Sequence, residues 1–157
     1  MNLRENVQAW ILGSLHDPIV KILSENSHLT KVQLETLLID VLSENFAGKQ
    51  LKYDEKAGLR LIKSKISRGS FNRTLMQAKG NVINSIYTVL LLGYLGVFET
   101  ISLSPYLAIA EKLHAYTETL KQMPEHEKTS TESLKIIHMV REELENSLKH
   151  LSSPSET

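Results

Sequence analysis

Arg68, Asn72, Arg73 and Gln77 fall within ten consecutive residues of this chain, and all four side chains can read bases. An arginine can donate two parallel hydrogen bonds to the major-groove edge of guanine. Asparagine or glutamine can pair with adenine in the same way. The charge around these residues is uneven. From Lys49 to Lys79 nine basic residues stand against Asp54 and Glu55, a local charge of +7 in a chain whose net charge is zero. The remainder therefore carries −7. Such segregation is the electrostatic footprint of a phosphate-binding face. Lys49, Lys52, Lys56, Arg60, Lys63 and Lys65 are accordingly expected on phosphates, with Arg68, Gly69, Asn72, Arg73 and Gln77 turned outward toward bases.

Other chemistries find less support. With no cysteine, thiolate metal sites, disulfides and cysteine nucleophiles are excluded. No phosphate-cradling glycine loop, nucleophile elbow or H-E-x-x-H pair occurs. His114, His126, His138 and His150 recur every twelve residues, which on a helix turns each by about 120° from the last, so they share no face. Glu142, Glu143 and Glu145 read as a solvated helix face, because no second carboxylate–histidine helix matches them. Neither an enzyme nor a bound cofactor or metal is expected.

The string Ile66-Ser67-Arg68-Gly69-Ser70-Phe71-Asn72-Arg73-Thr74-Leu75 resembles the turn and recognition helix of helix-turn-helix DNA-binding proteins. Ser67 can satisfy the free N–H groups at the helix start, and a helix N-terminus favours a nearby phosphate. Ile66, Phe71 and Leu75 would fix the helix on its inner side. The resemblance implies a transcriptional regulator reading duplex DNA with the helix Ser67–Gln77. It is weaker over Glu55–Lys65, where the family carries a small residue in place of Leu61, glycine in place of Lys65, and apolar residues in place of Arg60 and Ser64.

The elements that must position these residues follow from apolar spacing. Val7, Trp10, Ile11 and Leu15 predict a first helix, and Asp17-Pro18 starts a second with Ile19, Ile22 and Leu23. Thr30 and Gln33 form a capping box for a third helix, whose stripe is Leu34, Leu37, Leu38, Val41 and Leu42, and Gly48 ends it. Asp54 is expected to cap a helix of roughly Glu55–Ser64. A stripe through Phe71, Leu75, Ala78, Val82, Ile86, Val89, Gly93 and Val97 makes Ser70–Phe98 one long helix or two joined near Gly80-Asn81. Gly93 and Gly96 are expected at a close helix–helix approach. Ser104-Pro105 opens another helix with Leu107, Ala110, Leu113, Leu120 and Met123 inward, ended by Pro124. After the polar linker Glu125–Ser130, a last helix carries Leu134, Ile137, Val140, Leu144, Leu148 and Leu151. The tail Ser152–Thr157 is expected to be disordered.

The fold expected is therefore all-α, a compact bundle of about six or seven helices in one domain over residues 1–151. Hydrophobic residues make up 41% of the chain, enough for a core, and aromatic residues only 6%, which argues against a β-sandwich. The most apolar stretch, Ile86–Phe98, is too short for the roughly 20 residues a membrane helix needs, so a buried core helix is expected there. The N-terminus does not read as a secretory signal, so a cytoplasmic location without a membrane partner is expected. Ile137, Leu144 and Leu151 recur every seven residues, which suggests a homodimer through the C-terminal helices, residues 104–151. The alternative to a DNA reader is a helical interaction or scaffold protein whose basic stretch binds an acidic protein or RNA.

Overall fold

The structure is a computed structural model that describes residues 2–63, 65–97, 104–122, 124 and 131–152. Among these residues there are seven helices and no strand, as the spacing predicts. They are α1 (Leu3–His16), α2 (Pro18–Glu25), α3 (Lys31–Ala47), α4 (Tyr53–Ala57), α5 (Arg68–Tyr94), α6 (Ser104–Gln122) and α7 (Thr131–Ser152). The chain divides into two compact units, Met1–Ser85 and Ile86–Thr157. Of the run expected over Ser70–Phe98, the residues from Ser70 to Tyr94 lie in the single helix α5, which is continuous past Gly80-Asn81, and Phe98 lies outside the described residues.

The first unit is built around α1, α3 and the start of α5. Its core contains Val7, Ile11, Ile39, Leu51, Ala57, Leu59, Phe71 and Leu75. The helix ends are where the capping residues place them. Thr30 Oγ1 accepts from the Gln33 N–H at 3.2 Å, and the Gln33 side chain accepts from the Thr30 N–H at 3.0 Å. Asp17 accepts from the N–H groups of Ile19 and Val20, with Pro18 at the first helical position. Gly48 closes α3 at φ 63°, a left-handed conformation suited to a residue without Cβ.

The face of α3 differs from its apolar stripe. Its buried residues are Glu35, Thr36, Ile39 and Ser43, whereas Val41 is exposed. Leu37 and Leu38 pack against the core from its flank. The most enclosed face of α3 is thus largely polar, because charged residues from further along the chain are brought down onto it.

In the second unit α6 and α7 pack together through Leu113, Val140 and Leu144, which are buried. Leu107, expected inward, is exposed, and so are Leu134 and Leu148 of the stripe on α7. Lys112 pairs with Glu143, which also accepts from the Tyr116 hydroxyl at 2.8 Å. These two contacts hold the Glu143 carboxyl below its ordinary value. The side chains of Leu120, Met123 and Leu151, the linker Glu125–Ser130 and the tail after Ser152 lie outside the described residues.

Gly96 does not sit at a helix–helix contact. It ends α5 in a left-handed turn at φ 74°. The Val97 N–H donates to the Leu92 carbonyl and the Gly96 N–H to the Gly93 carbonyl, the paired bonds of a Schellman motif. Nor is the apolar end of α5 a buried core helix: Ile86, Tyr87, Leu90, Leu91, Tyr94 and Leu95 are all exposed. No described helix is long and apolar enough to cross a membrane.

Candidate nucleic-acid interface

The segment with the +7 charge divides into buried and exposed cations. Lys56 and Arg60, expected on phosphates, are 4% and 2% exposed and lie against acidic residues of α3. Lys56 Nζ sits 2.7 Å from Asp40 Oδ1 and 2.7 Å from Glu44 Oε1, and 5.7 Å from the centre of the Tyr53 ring. Arg60 Nε lies 3.4 Å from Glu35 Oε2, and its Nη2 donates to the Val32 carbonyl and the Thr36 hydroxyl. A cation held this way has its charge answered inside the protein, so neither residue faces a phosphate. Lys79 is exposed but paired with Asp40 at 2.8 Å.

Glu35 also explains why the helix expected at Glu55–Ser64 is cut short after Ala57. Helix α4 ends after five residues, at Ala57, and none of the described residues 58–63 and 65–67 is helical. The N–H groups of Leu61 and Ile62, which would point at carbonyls one turn back in a helix, donate instead to Glu35 Oε1. Gln8 of α1 adds a hydrogen bond to the Leu59 carbonyl at 3.1 Å. The cap differs as well: Lys52, rather than Asp54, holds the N-cap position, and its N–H donates to Glu55 Oε2 at 2.8 Å. In this pinned loop Lys63 and Lys65 take φ values of 50° and 63°, uncommon for residues with a Cβ. Both side chains are exposed.

At Ser67 the chain enters α5. The Ser70 N–H donates to Ser67 Oγ at 3.2 Å, the N-cap bond expected of that serine. Phe71 and Leu75 are fully buried beneath the helix, and the Phe71 ring lies 6.3 Å from that of Tyr53. With that side fixed, Arg68, Gly69, Arg73, Met76 and Gln77 are exposed, while Asn72 is half-buried rather than fully outward. Asn81 anchors the helix further along by donating to the His28 carbonyl and Gln33.

Six of the twelve candidate positions therefore present an exposed cation with no ion pair among the described residues: Lys49, Lys52, Lys63, Lys65, Arg68 and Arg73. Lys52 and Arg68 are brought together on one open groove of about 640 Å³, which Gln50, Tyr53, Asp54 and Glu44 also line. Glu35 and Asp40 are the residues that sequence reasoning overlooked. The available signal was a pair of mismatches, since Arg60 stands where an apolar residue is expected and Glu35 stands beside the stripe of α3. In comparison with known proteins, the chain matches no family model, no curated protein and no solved structure.

Proposed function

We propose that the first unit binds duplex DNA as a transcriptional regulator, with the helix Ser67–Gln77 entering the major groove. The observation that carries the reading is the sorting of cations: two are buried, one is paired, and of the six left exposed Arg68 and Arg73 lie on the first turns of α5, Lys63 and Lys65 just precede it in the chain, and Lys52 shares a groove with Arg68. Arg68, Arg73 and Gln77 supply base-reading side chains, and Lys49, Lys52, Lys63 and Lys65 supply phosphate contacts. The Ser67-capped N-terminus adds a partial positive charge at the same place. Readers of this kind commonly span two half-sites as two-fold dimers.

The test compares Arg73→Ala with Lys52→Ala in binding titrations on a selected duplex and on random duplexes, each at two salt concentrations. Arg73→Ala is expected to weaken the selected duplex by about 1–3 kcal/mol and relax specificity at one position. Lys52→Ala should weaken all duplexes alike and reduce the salt slope by about one unit. Identical behaviour of the two variants would reject a reading helix. Loss of neither would direct the search to RNA or an acidic protein.

A further inference from the structure

The groove shared by Lys52 and Arg68 lies wholly within the first unit, and its walls are fixed by packing. Leu51, buried in the core, anchors the connector between α3 and α4. Tyr53 rests with its ring 6.3 Å from that of Phe71. Lys56 lines the groove from a buried position, and its ammonium is already satisfied. Asp40 Oδ1 and Glu44 Oε1 each lie 2.7 Å from it, and the Asp40 carbonyl 3.5 Å. The carboxylates of Asp40 and Glu44 are thus matched by the ammonium groups of Lys56 and Lys79. Glu44, which also lines the groove, is therefore answered within the protein and presents little repulsion to an arriving anion. At about 640 Å³ the groove falls within the roughly 300–1,000 Å³ of small-molecule sites.

We propose that this groove binds a small phosphate monoester, a sugar phosphate by chemical class. Lys52 and Arg68 are exposed, and their side chains make no ion pair or hydrogen bond among the described residues. Two free cations match the charge of a phosphate monoester, about −1.5 to −2 at neutral pH, whereas a carboxylate would leave one of them unanswered. The guanidinium fork suits two phosphate oxygens and the lysine ammonium the third. The same groove holds the Asp54 carboxylate and the Gln50 amide, both exposed and without a side-chain partner among the described residues. Asp54 can accept from a hydroxyl, and Gln50 can accept from one or donate to it. Asp54 also disfavours a second anionic group at that end, which points to a neutral, hydroxyl-bearing body attached to the phosphate.

The site is independent of the duplex-DNA reading, and its test uses no nucleic acid. The full chain is titrated at pH 7.5 and low salt with ribose 5-phosphate, with ribose and with inorganic phosphate. Ribose 5-phosphate should bind saturably at millimolar concentration or below, ribose should not bind, and inorganic phosphate should bind more weakly than the ester. Lys52→Ala and Arg68→Ala should each weaken the ester about tenfold, as loss of a charge-assisted hydrogen bond does. Lys21→Ala removes the same charge from an exposed position on α2 outside the groove, and should leave binding unchanged. Amide chemical shifts of the wild-type chain give a readout that needs no variant to fold: the largest changes should fall at residues 50–54 and 68. Three results would each overturn the proposal. They are no binding of the ester at 10-fold above millimolar concentration, bare phosphate binding as tightly as the ester, and shift changes or variant effects no larger at the groove than at Lys21.

Discussion

Glu35 shows how one buried side chain decides the conformation of a distant segment. Its carboxylate is fully enclosed, beside the Arg60 guanidinium and under two backbone N–H groups. Removing one member of a buried pair leaves the other charge without compensation, so Glu35→Ala is expected to destabilise the fold by about 3–5 kcal/mol. Chemical denaturation would measure it. Asp40 makes a different prediction. Burial pushes its carboxyl upward, but the ammonium groups of Lys56 and Lys79 outweigh burial and hold it below its ordinary value of 3.8. A carboxyl depressed in the folded state stabilises the protein above its unfolded value. That stabilisation is lost as pH falls through the lower, folded value. Denaturation midpoints should therefore drop as pH is taken below about 3.8, and Asp40→Asn should make that drop shallower. A variant with the same acid dependence as wild type would remove Asp40 from the account.

Among the elements, α5 and α3 behave differently, and packing explains why. The first turns of α5 follow the spacing of Phe71, Leu75 and Ala78, all fully buried. Phe71→Ala is expected to cost about 3–5 kcal/mol and should lower the denaturation midpoint of the whole chain. An unchanged midpoint would show that the helix does not rest on this side chain. In α3 the apolar periodicity names a stripe one step away from the face most deeply buried. Its leucines flank that face and make partial contact with the core. The face itself is covered by α4 and the loop after it, which contribute Lys56 and Arg60. Periodicity detects apolar contact, and it cannot register a face closed by ion pairs.

For the molecule as a whole, charge is better counted after folding than before it. Of nine cations between Lys49 and Lys79, two are buried and one is paired at the surface. A single copy bound to duplex DNA should therefore show a slope of log affinity against log salt no steeper than about −5, since each phosphate neutralised contributes about −0.9. Nine free cations would allow a slope near −8 on the same basis. Binding titrations across salt distinguish the two, and a slope near −8 would mean that Lys56, Arg60 and Lys79 all leave their carboxylates on binding.

Local chemistry alone determined much of this protein. The all-α class, the caps at Asp17, Thr30 and Ser67, the stop at Gly48 and the inward side of the first turns of α5 each depend on residues within about one turn of one another. Their signals are complete in a short window of sequence. Four other features required contacts across long separations. Glu35 meets Arg60, Asp40 meets Lys56 and Lys79, Gln8 meets the Leu59 carbonyl, and the N–H groups of Leu61 and Ile62 leave their own segment. These contacts cut short the helix expected at Glu55–Ser64 and withdraw Lys56 and Arg60 from the candidate interface. The end of α5 is the same lesson in reverse. Its composition reads as a core helix, but whether an apolar helix is buried depends on what else the chain brings to it. In the tertiary structure Ile86, Tyr87, Leu90, Leu91 and Tyr94 are exposed.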